Sequence, residues 1–319
     1  MTSRIALDLV SDGAVRLVLD RPLYSLAERW IPQGLREPAG VPARATISVC
    51  GGQAPLGAPA ERATVSLDRV AAWVDDAHAT AVLRGAIPSS GGVLSFAARH
   101  ARLQVDPARA QEAAADLYSL LTVAAALLLA DLGRALVHAA AVVAPDGGAW
   151  LLAGDARSGK STTCATLAAA GWGYLSDDQV VLAPREDGVE VEGWLRPFHL
   201  DSTGEDGEPT GERRTVPIAE LGLAGWRRTA RLAGLILPAV AAREATRLTP
   251  APAADALAAL VRQSPWLLAS GRTGSAGLAL LGHAAKGGAF NLWLGRDTFR
   301  DPARLQACVG SLEVQANGR

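Results

Sequence analysis

The sequence uses several residue types sparingly, and lysine is the scarcest of the charged ones. Its 319 residues include 31 Lys and Arg, of which only Lys160 and Lys286 are lysine. All the other basic residues among these are arginine. One of the two lysines, Lys160, lies within AWLLAGDARSGKS, residues 149–161. Arginine would supply the same charge there, but not a compact ammonium on a flexible stem. We therefore expect position 160 to require the shape of lysine as well as its charge.

Cysteine is also scarce, with single residues at positions 50, 164 and 308. Their odd number and wide spacing argue against a disulfide framework and against the close spacing of metal ligands. We expect Cys50, Cys164 and Cys308 to be small buried residues of a protein in a reducing compartment.

The chain has no excess of charge and no long apolar run. A net charge of −1 gives no electrostatic reason to expect nucleic acid or an anionic membrane as partner. The N-terminal MTSRIALDLVSDG lacks the apolar run of a signal peptide. The longest apolar run, residues 118–130, is shorter than the roughly 18 residues that span a bilayer, and indicates a buried helix. The sequence predicts a soluble, cytoplasmic protein.

Two regions differ in pattern. Residues 1–105 alternate short apolar runs with Gly- and Pro-rich turns, which predicts a β-rich N-terminal subdomain, either a scaffold or a substrate-docking lobe. Asp106-Pro107 has the form of a helix start, and residues 106–319 form the predicted catalytic domain, with helices and strands in alternation. The polar segment 201–214 has no apolar periodicity and is predicted to be a mobile loop.

The pattern G-x-x-x-x-G-K-[ST] is completed by Gly154, Gly159, Lys160 and Ser161. In such a loop the backbone amides turn toward phosphates, the lysine reaches the β and γ oxygens, and the hydroxyl binds Mg²⁺. An apolar strand precedes the loop and a helix follows it, as the motif requires. The predicted nucleotide-binding residues are Gly154, Asp155, Ala156, Arg157, Ser158, Gly159, Lys160, Ser161 and Thr162.

An aspartate pair follows the loop at a suitable distance. The helix from Lys160 to about residue 170 rises about 16 Å, and residues 174–178 can return about 16 Å as a strand. Asp177 and Asp178 are therefore expected beside the phosphates, where one carboxylate would support Mg²⁺ and the other accept a proton. We take Asp177 as the base and Asp178 as the metal support, although the residues alone do not decide between the two assignments.

His138 can be placed by the geometry of a hairpin. A turn between Asp146 and Gly147 would put His138 opposite Asp155, the second residue of the loop. A histidine within a strand is often only a core residue, but this register brings it to the phosphates. We predict that His138 pairs with the catalytic Asp177.

The segments LVHAAAV, GDARSGKS and YLSDDQVVL resemble, in order and spacing, the catalytic domain of HPr kinase/phosphorylase. That family shares a P-loop core with ATP-dependent phosphoenolpyruvate carboxykinase. The resemblance implies an α/β fold with this core, here with a β-rich N-terminal subdomain, and the use of Mg²⁺ with ATP or, alternatively, GTP. Thr162 stands where the bifunctional enzyme has glutamate, and its long glycine-rich signature has no counterpart, so the resemblance does not extend to recognition of the HPr protein.

The chain is more similar to the shorter HPr-kinase-like proteins of peptide natural-product gene clusters, including lasso-peptide tailoring kinases that phosphorylate a precursor serine. Their RPF-L and RR-x-P elements are matched by residues 196–200 and 213–217. By that resemblance Arg196, Arg213 and Arg214 would lie near the γ-phosphate or the substrate. The alternative is a solvated loop end that balances nearby acidic residues.

These features predict a Mg-ATP-dependent kinase for a Ser or Thr hydroxyl of a peptide or protein, such as a ribosomally made precursor peptide. A small-molecule kinase or a carboxykinase-like enzyme could use the same core. A nucleotide-driven switch is a third hypothesis, although the sequence has neither an N-K-x-D nor an L-S-G-G-Q motif. A homo-oligomer is compatible with every one of these functions.

Overall fold

The computed structural model describes residues 4–27, 35, 38, 40–54, 59, 61–194, 198–203, 209–216, 225–241 and 245–316. It confirms a mixed α/β protein with large sheets. The chain divides into two compact units. The first comprises Met1–Leu136 and Pro265–Leu278, and the second Val137–Ser264 and Ala279–Arg319.

Alternating apolar and polar residues build the sheet of the first unit. In β2, for example, Val15, Leu17 and Leu19 are buried while the residues between them are half-exposed. The strands are β1 Arg4–Asp8, β2 Val15–Asp20, β3 Ala45–Gly51, β4 Val65–Leu67, β5 Val70–Asp75, β6 Thr80–Gly85, β7 Ser90–Ser95 and β8 His100–Val105, with helix α1 Arg21–Ala27 after β2. Their order in the sheet is β1-β2-β3-β8-β7-β6-β5-β4.

Helix α2, Ala110–Asp131, packs on this sheet and belongs to the first unit, which therefore extends past the expected boundary at residue 105. Asp106 caps the short 3-10 helix that leads into it by accepting from the Ala108 amide at 3.0 Å. Among the described residues, Pro107–Asp131 is long and apolar enough to cross a membrane by length and composition, and 78% of its most apolar window is buried inside the protein. The helix start predicted at Asp106-Pro107 is confirmed, and the 13-residue apolar run lies within this helix.

A mixed sheet forms the second unit. The remaining strands of the chain are β9 Ala135–Val137, which spans the unit boundary, β10 Ala140–Val143, β11 Ala149–Leu152, β12 Gly173–Ser176, β13 Val180–Arg185, β14 Gly188–Gly193, β15 Phe198–Thr203, β16 Pro209–Val216, β17 Thr229–Val240, β18 Arg247–Pro250 and β19 Ala289–Leu294. Six strands of the mixed sheet lie in the order β12-β10-β11-β17-β14-β13, and β17 also pairs with β19. The helices are α3 Lys160–Ala169, α4 Ala253–Arg262, α5 Gly271–Lys286, α6 Arg296–Arg300 and α7 Pro302–Ala316. Strands β11, β17 and β19 are parallel, so their carboxyl ends meet at one edge, and the loop at 153–159 follows β11 there.

The prediction of a loop at 201–214 was wrong where the structure describes it. Strands β15 and β16 form a hairpin in which Asp201 opposes Arg213 and Leu200 opposes Arg214. Two strands pair through main-chain hydrogen bonds, whatever their side chains. When polar residues occur on both faces, the sequence shows no alternation of apolar and polar residues from which a strand could be predicted. Residues 204–208 lie outside the described part of the chain.

Candidate active site

The loop between β11 and α3 depends on Gly159, the residue before the helix. Its φ of 98° lies in the left-handed region, and a Cβ there would come within 2.2 Å of Leu294 Cδ1 at the end of β19. Only glycine suits both the conformation and the close approach. Because Gly159 caps α3 without a side chain, the first amides of the helix remain suited to an anionic ligand.

Lys160 lies at the centre of this loop. Its Nζ donates to the carbonyl oxygens of Gly154 at 2.8 Å and Asp155 at 3.0 Å, and the residue is buried. A Cβ at Gly154 would come within 2.9 Å of Ser158 Oγ, while Arg157 adopts a φ of 63° that non-glycine residues seldom take. The loop is thus wrapped closely around an ammonium group, as a phosphate cradle would be.

The end of β12 holds the two aspartates. The strand stops at Ser176, before the predicted end at residue 178, and the Ser176 hydroxyl donates to the Trp194 carbonyl at 2.8 Å. The same Oγ accepts from the amides of Asp178 and Gln179, each at 3.3 Å. This local turn fixes the backbone of Asp177 and Asp178 immediately after the strand.

Asp177 lies next to α3 and is buried. Cys164, on the second turn of α3, approaches the Ser176 carbonyl with its Sγ at 3.6 Å. Burial, together with the negative charge of Asp177, raises the pKa of the Cys164 thiol well above its usual value. Burial, Cys164 and Asp177 likewise raise the pKa of Tyr174. The helix and the returning strand therefore bring Asp177 near the second turn of α3, and Cys164 is a protonated, buried thiol.

His138 contacts Asp178 and not the predicted Asp177. Its Nδ1 is 3.0 Å from Asp178 Oδ1, with side chains that are 40% and 20% exposed. The hairpin prediction was wrong by one residue, because Ala140 pairs with Leu152 and β10 begins only at Ala140. His138 lies in the break between β9 and β10, and its amide donates to the Gln263 carbonyl at 2.9 Å. A break in the strand, which apolar periodicity does not reveal, thus directs the imidazole to Asp178.

A magnesium ion would suit the oxygen donors that the site offers. Nowhere in the described ranges do three His, Cys, Asp or Glu side chains cluster as they do in a protein metal cage. Mg²⁺ does not need such a cage, since it keeps several waters and takes one or two protein oxygens together with substrate phosphates. The Ser161 hydroxyl at the start of α3 and one carboxylate of the aspartate pair fit that requirement.

Other predicted residues are less well defined by the structure. Thr162 is half-exposed on α3. Arg213 and Arg214 lie in β16, and their side chains, like all of Arg196, fall outside the described residues.

The sequence analysis missed one basic residue at the loop. Arg262, the last residue of α4, places its Nε 3.8 Å from Asp155 Oδ1. It lies about a hundred positions beyond the loop, outside every motif identified in the sequence. No local pattern could have revealed this proximity, which depends on tertiary packing.

Comparison with known proteins adds a weak structural likeness. No family model matches the chain, and no curated protein matches its sequence. Among solved structures, the chain is similar to the Hpr(Ser) kinase/phosphatase from Coxiella burnetii, at 13% sequence identity and a TM-score of 0.32. The likeness covers 57% of this chain and 98% of that chain.

Proposed function

We propose that this protein is an ATP- and Mg²⁺-dependent kinase that transfers the γ-phosphoryl group to a Ser or Thr hydroxyl of a peptide or protein. The observation that carries the proposal is the lysine-centred loop, Gly154 to Ser161. The strand that precedes the aspartates packs against the helix that follows this loop, since Cys164 Sγ lies 3.6 Å from the Ser176 carbonyl oxygen. We further propose that the acceptor is a ribosomally made precursor peptide and that the reaction takes place in the cytoplasm. Neither nucleic acid nor a membrane is required as partner.

Each group has a defined task in this proposal. Lys160 and the first amides of α3 stabilise negative charge on the transferred phosphoryl group. Bound Mg²⁺ would neutralise further phosphate charge, with Ser161 and one carboxylate as its protein donors. The other carboxylate accepts the proton of the acceptor hydroxyl.

The contact of His138 supports a division of labour between the aspartates that reverses the one favoured by sequence. A general base is commonly oriented by a third group, and His138 contacts Asp178, which is partly exposed to an incoming acceptor. Asp177 is buried near Cys164 on the second turn of α3, where metal support is the simpler role. We therefore propose Asp178 as the proton acceptor, Asp177 as the metal-supporting carboxylate and His138 as a positioning residue.

The test is transfer of labelled γ-phosphate from ATP to candidate peptides encoded by neighbouring genes, with the modified residue located by mass spectrometry. A kinase should give a Ser- or Thr-phosphorylated product with the wild-type chain and with the Lys286→Ala control, but not with Lys160→Ala. Rapid ATP hydrolysis without any phosphorylated peptide or metabolite would contradict the kinase assignment and favour a switch. Phosphorylation of small metabolites alone would favour the small-molecule kinase.

A further inference from the structure

Arg262 is held at the rim of the loop by the end of α4. The Gln263 carbonyl, one residue beyond Arg262, accepts from the His138 amide at 2.9 Å. This bond fixes the carboxyl end of α4 to the segment that carries His138. A main-chain hydrogen bond thus holds the end of the helix in place, and this places the Arg262 guanidinium beside the loop. The Arg262 side chain is not needed to hold the helix there.

Its contact in the structure is weak. Arg262 Nε is 3.8 Å from Asp155 Oδ1, and the two side chains are 59% and 77% exposed. An ion pair this long and this exposed contributes little to stability and exchanges partners readily. Asp155 is also the residue whose carbonyl accepts from Lys160 Nζ at 3.0 Å. Both cations thus contact Asp155. Lys160 contacts its main-chain carbonyl oxygen, and Arg262 contacts its side-chain carboxylate.

We infer that Arg262 is a phosphate-binding residue that leaves the Asp155 carboxylate for the γ-phosphate of a nucleotide held in the loop. This inference rests on the proposed nucleotide site. A terminal phosphate carries more negative charge than a carboxylate, and the planar guanidinium can donate to two of its oxygens at once. Lys160 is a point charge buried within the loop, whereas Arg262 approaches from outside it. The γ-phosphate is the phosphate that a residue at the outer rim would meet.

The experiment measures affinity for ADP and for a non-hydrolysable ATP analogue, using the full chain with Mg²⁺. Arg262→Ala should weaken binding of the analogue by about 10- to 100-fold, the scale of a charge-assisted hydrogen bond, while ADP affinity changes less than about threefold. Arg262→Lys should recover part of the loss, because it keeps the charge but not the planar fork. Arg304→Ala is the matched control, since Arg304 Nε is 3.7 Å from Asp301 Oδ2 and its side chain is 70% exposed.

A second variant tests the exchange of partners. Asp155→Ala removes the carboxylate that competes for Arg262, so it should tighten binding of the ATP analogue. The same change should have a smaller effect in the Arg262→Ala background, because the two residues would then be energetically coupled. Equal effects in both backgrounds would contradict the exchange.

Three other results would overturn the inference while leaving the nucleotide site intact. These are an equal loss for ADP and for the analogue, no loss for either ligand, or a raised KM for the acceptor with unchanged nucleotide affinity. If the wild-type chain binds neither nucleotide, the proposed function fails first and the role of Arg262 falls with it.

Discussion

Two buried charged residues, one in each unit, are held in different ways. Asp116 in α2 is fully buried and pairs with Arg69 Nη2 at 2.6 Å, while Oδ2 accepts from Ser90 Oγ at 2.9 Å and the Ile87 amide at 2.7 Å. Lys160 is also buried, but its Nζ donates to carbonyl oxygens of its own loop. The carboxylate of the first residue contacts a full opposite charge, and the Nζ of the second contacts two main-chain carbonyl oxygens.

The two surroundings have different electrostatic consequences for the charge they enclose. A carboxylate paired with a guanidinium is largely neutralised, whereas an ammonium among carbonyl dipoles keeps its attraction for an anionic ligand. Other acids of the first unit also pair with arginine, among them Asp8 with Arg16, Asp12 with Arg134, and Asp131 with Arg99. The second unit has a buried pair of this kind as well, Glu192 with Arg228. The contrast therefore concerns Lys160 and its loop, not the whole second unit.

The largest expected effect comes from removing the lysine at the centre of the loop. Lys160→Ala should lower phosphoryl transfer by about 10³-fold, since a preorganised charge that stabilises the transition state is lost. ATP affinity, measured by titration calorimetry, should fall as well. Lys286→Ala is the matched control, because Lys286 is the chain's other lysine and is exposed at the end of α5. Unchanged phosphoryl transfer by Lys160→Ala would contradict the interpretation of the loop as a phosphate cradle. It would also contradict the functional contrast between Lys160 and Asp116.

The aspartate pair should give the next largest effect. Asp178→Asn keeps the size of the side chain but removes its basicity, so transfer should fall by about 10²-fold while nucleotide affinity stays near that of the wild type. Asp177→Asn should instead raise the Mg²⁺ concentration needed for half-maximal activity. Initial rates across a magnesium titration distinguish the two variants. The opposite pattern would restore Asp177 as the base.

The loop motif and the lengths of α3 and β12 are local properties of the sequence. Spacing alone therefore predicted a helix after the loop and a returning strand before the aspartate pair, although that strand stops at Ser176. Neither the break in the strand at His138, the hairpin of β15 and β16, nor the approach of Arg262 to Asp155 has a local signal. Each arises from main-chain pairing or packing between segments that are distant in sequence.

The buried pair of the first unit should control stability and not activity. Asp116→Ala removes the acceptor of the Ile87 amide and the charge partner of Arg69, while the Ser90 hydroxyl can still donate to the Ile87 carbonyl. The change should lower the free energy of unfolding in urea by about 2–3 kcal/mol. The loss stays below the full cost of an isolated buried charge, because the Arg69 side chain is 42% exposed and can reach water.

Glu112→Ala on the same helix is the control for that variant. Glu112 pairs with Arg109 at 2.7 Å, but both side chains are about half exposed, so its removal should cost less than about 1 kcal/mol. ATP affinity should be unchanged in both variants. Equal losses of stability would show that burial does not distinguish the two pairs.

His138→Ala should have a milder effect on transfer, about 10-fold, since the imidazole orients Asp178 without touching the phosphoryl group. His138→Asn can still donate a hydrogen bond and should recover part of the rate. His283→Ala, an exposed histidine on α5, is the control. Failure of asparagine to recover any activity would argue against a positioning role.

The smallest effect concerns the partly exposed pair of Asp12 and Arg134 in the first unit. Burial acts to raise the pKa of Asp12, but hydrogen bonds from the Arg134 guanidinium and the Ala14 amide lower it, and the pKa lies below its usual value. The folded state therefore favours the carboxylate. Its contribution to stability is present above the unfolded pKa, near 3.9, and is lost as pH falls through the lower folded pKa.

Because the Asp12 side chain is 43% exposed, solvent screening should keep this contribution below about 1 kcal/mol. The measurement is the difference in free energy of urea unfolding between the wild type and Asp12→Asn, taken from pH 7 down to the acid range. The difference should be constant at neutral pH and shrink toward zero in acid, once the wild-type carboxyl is protonated in both states. A difference that stays the same at every pH would mean that asparagine changes packing and not charge pairing. Asp12 would then not stabilise the fold through an ion pair, as Asp116 is expected to do.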